Sequence, residues 1–187
     1  GTTHAWNSQT AQTDYAGSAY MRALPDIGQQ YDAIATADSP GLNFTVQIDN
    51  PGSYTVWARG MAPDAAGDSL HVGVNDGMPT TGANLTSFAP NAWTWSRLTM
   101  SSTNATVDLS SSGTYTLNVW MAEDGLRLDK LMLVTDTATI PTGQGPLESG
   151  TTTALPPLGS HTIVYDYDDL YRLTDATYSG DITATYS

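Results

Sequence analysis

The sequence predicts an all-β fold: a two-sheet antiparallel β-sandwich of jelly-roll type, followed by a strand-rich tail. Three observations predict it. Short runs rich in Val, Thr, Tyr and Trp alternate in polarity along the chain, clusters of Gly, Pro, Asn and Asp separate them, and helical periodicity is almost absent. Roughly seven or eight strands at such spacing pack as two sheets around one core.

The elements follow in order. In Leu42 to Ile48, Leu42, Phe44, Val46 and Ile48 alternate with polar residues, and Asn50-Pro51-Gly52 makes a turn. The partner run, Tyr54 to Arg59, points Tyr54, Val56 and Ala58 one way and Trp57 and Arg59 the other. Ser69 to Val74 is a strand ended by the turn tripeptide Asn75-Asp76-Gly77. Trp93 to Met100 places Trp93, Trp95 and Arg97 on one face. Thr106 to Leu109 and Thr114 to Met121 continue the pattern, the latter with Tyr115, Leu117, Val119 and Met121 facing the core. Glu123-Asp124-Gly125 reads as a turn feeding a buried closing strand, Leu128 to Val134.

Residues 1–139 are thus the sandwich. From Ile140 to Ser160 the composition shifts to Pro, Thr and Gly, which reads as a linker. Residues 161–187 form a β tail, in which His161 to Asp168 alternates and Leu173 to Tyr178, a Ser179-Gly180-Asp181 turn and Ile182 to Tyr186 make a hairpin.

Composition limits the function. Of 187 residues, 6 are Lys or Arg and 19 are Asp or Glu, a net charge of −13 that repels nucleic acid and anionic lipid faces. There is no cysteine, which excludes disulfides and thiolate metal sites. No run approaches the roughly 20 apolar residues that span a bilayer, so no membrane insertion is expected. No signal peptide is evident, and a chain opening on Gly1 reads as a processed or trimmed product. The Thr, Ser, Gly, Ala and Asp bias points to an extracellular or cell-surface setting.

Tyr15-Ala16-Gly17-Ser18-Ala19-Tyr20-Met21, Pro51 to Arg59, Gly67-Asp68-Ser69-Leu70, Trp93-Thr94-Trp95 and Asp124 to Asp136 fall in the order and spacing of one family. Through them, residues from about Tyr15 to Glu148 resemble the galactose-binding-like carbohydrate-binding modules attached to glycoside hydrolases and surface proteins. The resemblance implies glycan binding without catalysis. It also implies a structural calcium between acidic residues of the first strand and an aspartate of the last strand, here Asp129. No acidic first strand precedes Trp6, so a sheet margin is expected to lie bare at the amino end. The run Tyr165-Asp166-Tyr167-Asp168-Asp169-Leu170-Tyr171-Arg172-Leu173-Thr174-Asp175-Ala176-Thr177-Tyr178 resembles a single tyrosine-aspartate repeat of Rhs-type proteins. Such shells need several units to bury their faces.

Other motifs weigh little toward catalysis. Gly67-Asp68-Ser69-Leu70 matches an esterase nucleophile motif, with Asp68 and His71 at that family's Asp/His spacing. An extended strand, however, points Ser69 and His71 to one face and Asp68 to the other, so no relay assembles. Glu123, Asp124 and Asp129 are candidates for an acid pair, against the plainer reading of a solvated turn with one ion ligand. Asp166, Asp168 and Asp169 lack the glycine and glutamate of a calcium loop, and His4, His71 and His161 are scattered. Sequons at Asn43, Asn84 and Asn104 arise readily by chance in such a composition.

Sugar contact calls for aromatic rings, since a pyranose presents C–H groups that stack on indole. Trp57, Trp93, Trp95 and Trp120, with Arg97 to read hydroxyls, are the candidates, and Trp6 belongs to the same set. Core packing is the competing role for Trp93 and Trp120. The bare margin favours a non-enzymatic structural or adhesive subunit that assembles with other copies of itself into an oligomer or polymer, by strand donation from the tail. Ile163, Tyr165, Tyr167, Tyr178, Ile182 and Tyr186 are the candidate assembly residues. The alternative is a glycan-binding module of a larger secreted or surface protein.

Overall fold

The computed structural model describes residues 3–31, 39–77, 84–149, 162–167 and 173–179. The chain divides into two units, Gly1–Pro146 and Leu147–Ser187.

In the first unit the strands are β1 (Ala5–Gln9), β2 (Tyr20–Leu24), β3 (Gly41–Ile48), β4 (Gly52–Met61), β5 (Leu70–Val74), β6 (Thr94–Ser96), β7 (Thr106–Leu109), β8 (Gly113–Met121) and β9 (Arg127–Val134). They form two antiparallel sheets. The larger runs β1-β2-β9-β4-β6 with β7 also beside β4, and the smaller runs β3-β8-β5. β4 organises the larger sheet: one side pairs with β9, while the other pairs first with β7 at Gly52 to Thr55 and then with β6 at Ala58 to Gly60.

Alternation decides which side chains meet between the sheets. Val56 and Ala58 of β4, with Leu131 and Leu133 opposite them on β9, face Leu70 and Val72 of β5 and Val119 of β8. Val56, Leu70, Val72 and Val119 are fully buried and contribute about 1.5–3 kcal/mol each, so this layer holds the sheets together. The same alternation sends Trp57 and Arg59 to the outer face of the larger sheet, as the sequence predicts.

Three expectations are corrected in this unit. The amino-terminal margin is not bare: residues 5–9 form β1, paired from Ala5 opposite Leu24 to Gln9 opposite Tyr20. Trp6 anchors it, its indole N–H donating to the Pro40 carbonyl at 2.9 Å. A five-residue strand with no regular polar alternation gives little periodicity to read, which is why the sequence hides it. The sandwich also extends past the expected boundary at 139, because residues 140–146 lie on it through hydrogen bonds from Trp95 to Gly143 and from Lys130 to Pro146. The expected Trp93 to Met100 strand shortens to Thr94–Ser96.

The second unit contains β10 (Thr162–Tyr167) and β11 (Leu173–Ser179), an antiparallel pair with Ile163 opposite Tyr178 and Tyr165 opposite Ala176. While the expected hairpin partner, Ile182 to Tyr186, lies outside the described residues, Leu173 to Tyr178 pairs with β10. The two runs are close neighbours in the chain and both rich in β-branched and aromatic residues, so closing the loop between them costs little. Of the candidate assembly residues, Ile163, Tyr165, Tyr167 and Tyr178 lie in this ribbon, while Ile182 and Tyr186 lie outside the described residues.

Candidate functional site

Three loops meet at one end of the sandwich: 25–31 between β2 and β3, 62–69 between β4 and β5, and 122–126 between β8 and β9. They enclose a shallow cleft of ≈ 190 Å³ with polar and apolar surface in similar measure, lined by Asp26, Gln29, Gln30, Asp64, Glu123 and Asp124 together with Gly28, Pro63, Ala66 and Gly67. Ile27, 63% exposed, stands in the same loop as Asp26.

Asp124 shapes this end. Its Oδ2 accepts from the backbone N–H of Ile27 at 2.8 Å and of Gln29 at 2.9 Å, and lies 3.1 Å from His4 Nε2, while Oδ1 accepts from Gly28 N–H at 3.2 Å. Burial alone pushes this carboxyl up, but the three amides and His4 outweigh it and hold it below the ordinary 3.8. Backbone bonds from Asp124 N to Gln29 O and from Gly125 N to Ala23 O complete the junction. Gly125 is required here: it sits at φ 77°, and a Cβ would lie 2.7 Å from the Asp26 carboxylate.

Glu123 faces a different environment. Its Oε2 accepts from Ser69 N–H and Oγ–H, both at 2.9 Å. Burial is the largest influence and raises its carboxyl above the ordinary 4.5, with Asp68 adding to the rise and Ser69 opposing it. Asp64 Oδ1 accepts from Ala66 and Gly67 N–H, closing the 62–69 loop on itself. Arg22 donates to Asp26 at 2.8 Å on the rim. The arrangement presents carboxylate and amide oxygens to a ligand rich in hydroxyl donors.

The esterase-like motif is taken apart by the fold. Ser69 spends its hydroxyl on Glu123, Asp68 accepts from Thr86 Oγ1 and Ser87 N–H, and His71 Nε2 lies 3.0 Å from the Tyr31 carbonyl.

The aromatic candidates lie elsewhere. Trp57, Trp93, Trp95 and Arg97 come together on the outer face of the larger sheet, where the chain covers them itself. Arg97 stacks over the Trp57 ring at 4.7 Å and donates to the Thr137 carbonyl. Trp95 donates to the Gly143 carbonyl, with the Gly145 backbone against its ring. Trp93 donates to the Thr13 carbonyl and meets the Tyr20 ring edge-on at 5.4 Å. Trp120 is not part of this group: 6% exposed, it lies on the smaller sheet against Gly41 and Gly73, and a Cβ at Gly73 would come within 2.7 Å of its ring.

Asp129 is likewise committed. Its Oδ2 accepts from Arg59 Nη1 at 2.6 Å and its Oδ1 from Ala16 N–H at 2.8 Å. A calcium ion binds several carboxylate and carbonyl oxygens together, whereas both Asp129 oxygens are taken by N–H donors, one of them a cationic guanidinium, so the residues around Asp129 do not fit it. Among the described residues no group of three or more His, Cys, Asp or Glu side chains gathers to hold a metal.

Sequence reasoning singled out Glu123 and Asp124 but missed Asp26, Gln29, Gln30 and Asp64. The usable signal is topological: in antiparallel sheets the three loops that follow β2, β4 and β8 share one end, and each carries Gly with acidic or amide residues.

The fold is a two-sheet antiparallel β-sandwich with a cleft at one loop end. Residues 6–148 match the family model of the glycosyl hydrolase family 115 C-terminal domain, and the chain belongs to that family. Among solved structures, the chain resembles a native family 35 carbohydrate-binding module from Clostridium thermocellum. The TM-score is 0.51 and the identity 17%, over 70% of this chain and 88% of that one. It also resembles the GH26-CBM35 β-(1,4)-mannanase of Podospora anserina, with TM-score 0.51 and 19% identity over 73% of this chain and 26% of that one. An uncharacterised protein of Formosa agariphila is 26% identical over 148 residues, covering 70% of this chain and 36% of the relative, so the chain spans about a third of that relative's length.

Proposed function

We propose that the sandwich is a non-catalytic glycan-binding module of a larger extracellular or surface-bound carbohydrate-active protein, and that the loop-end cleft receives the sugar. One observation carries the reading: a shallow cleft lined by Asp26, Gln29, Gln30, Asp64 and Glu123, at the loop end of a sandwich of this family. Carboxylate and amide oxygens suit the hydroxyl donors of a saccharide, and Pro63 and Ala66 suit its C–H faces. Asp26 and Asp64, both exposed, and the half-buried Glu123 bring three carboxylates to the cleft, so the ligand class is a neutral saccharide, with uronate and sulfate chains disfavoured by charge. No helix among the described residues is long and apolar enough to cross a membrane.

Calorimetric titration of the full chain with neutral and uronate-containing oligosaccharides tests this. Asp64→Asn and Glu123→Gln should each weaken binding of a neutral oligosaccharide roughly 10-fold or more, the scale of one lost charge-assisted hydrogen bond. The outer face is the rival placement: if Trp95→Ala abolishes binding and the cleft variants do not, the sugar sits there instead.

A second reading concerns the C-terminal ribbon. An isolated two-stranded ribbon is marginal in water, and its resemblance to a tyrosine-aspartate repeat suits association with further β-structure, other copies of this chain included. Strand donation into the sandwich loses its motive, because β1 occupies the margin that was expected bare. Removing residues 160–187 should reduce any self-association seen by sedimentation, and unchanged association would dispose of this role.

A further inference from the structure

We propose that Arg59 does the work of a bound divalent cation in this module, so that its folding needs no calcium. Three oxygens converge on the guanidinium. Nη1 donates to Asp129 Oδ2 at 2.6 Å and to the Asp14 carbonyl at 2.7 Å, and Nη2 donates to Asp14 Oδ2 at 3.0 Å. Carboxylates and a backbone carbonyl are the donors a hard cation collects, and here a fixed organic cation collects them.

The surroundings are built for this. Arg59 is 2% exposed and lies in the middle of the larger sheet. The Trp93 ring closes over it at 5.2 Å, a cation–π contact that shields the charge from water. Asp14 adopts φ 62°, a left-handed conformation that aspartate tolerates, and brings both its carbonyl and its carboxylate to the guanidinium. One positive charge suffices for two carboxylates because the Asp14 side chain is 64% exposed and keeps water, while that of Asp129 is 0% exposed.

The sequence of β1 agrees. Ala5, Trp6, Asn7, Ser8 and Gln9 supply no carboxylate, so the acid that faces Asp129 arrives from the following loop and the positive charge arrives from β4. Arg59 thereby ties together β4, β9 and the loop at 13–16. Through the Gln144 amide on Asp14 Oδ1 it also reaches the segment at 143–145.

Thermal unfolding of the full chain, followed by the fluorescence of five tryptophans that all lie in the first unit, tests the proposal. The melting midpoint should be the same in excess EDTA and in excess calcium; a midpoint that rises with calcium and falls with EDTA would overturn it. Arg59→Met, which keeps the bulk and removes the charge, should lower the midpoint by about 10 °C. Adding Asp129→Asn to that variant should recover part of the loss, because the lone carboxylate is then neutral. An Arg59→Met protein that melts like the parent, or a double variant no better than the single one, also overturns the proposal. If Arg59→Met does not fold, the comparison of EDTA with calcium on the parent still decides.

Discussion

Asp124 and Asp129 flank the start of the same strand, and both side chains are shut away from water, at 5% and 0% exposure. They are neutralised by opposite devices. Asp124 is held by the amides of a neighbouring loop and by His4, so its charge organises backbone and leaves a cleft open beside it. Asp129 is held by a guanidinium from the adjacent strand, so its charge fastens strands and draws aromatic rings into the fastening. The difference teaches that an acidic residue marks a binding site only when its partner leaves room for a ligand.

Breaking the second device should have the largest effect. Asp129→Ala leaves Arg59 buried against only the partly hydrated Asp14, and should cost about 3–5 kcal/mol, the scale of a broken buried pair, in denaturant unfolding. A loss below about 1 kcal/mol would equate the pair with an exposed one.

Breaking the first device is expected to cost less, and its cost should depend on pH. Asp124 is lowered in the fold, so its ionised form is favoured there. The stability it supplies is complete above the unfolded value of 3.8 and is lost as pH falls through 3.8 toward the folded value. Asp124→Asn should cost about 1–3 kcal/mol at neutral pH and flatten the acid side of the stability profile; an acid limb of unchanged steepness would contradict the assignment.

Glu123 should show the smallest effect on stability and the opposite sign. Raised by burial, it binds its proton more readily in the folded state, so it costs stability as pH rises through 4.5 toward the folded value. Glu123→Gln should leave stability at pH 7 within about 1 kcal/mol of the parent, or slightly above it, while weakening sugar binding. Equal losses of stability and affinity would make Glu123 a structural residue.

Much of the fold was legible because it rests on period-two alternation. Leu42 to Ile48, Tyr54 to Arg59 and Thr114 to Met121 carry that pattern in the sequence and appear as β3, β4 and β8. β1 and β2 were not legible as strands, since Ala5–Gln9 and Tyr20–Leu24 are short and gain their partners only in three dimensions. The site was half legible. Glu123 and Asp124 stood out at a turn, but what separates them from Asp129 is the identity of the facing group, Ser69 and loop amides in one case and Arg59 in the other. That depends on strand order, which local pattern does not encode. Trp93, Trp95 and Arg97 share a face, as alternation requires, yet alternation says nothing of the segment at 137–146 that lies over them.

The central claim is that the amide-held end of the sandwich, not its aromatic outer face, receives a neutral sugar. Calorimetric titration of one neutral oligosaccharide against the parent chain, Asp64→Asn and Trp95→Ala tests it most directly. The account predicts affinity lost in Asp64→Asn and kept in Trp95→Ala. Affinity kept in Asp64→Asn and lost in Trp95→Ala, with both proteins folded, would contradict it.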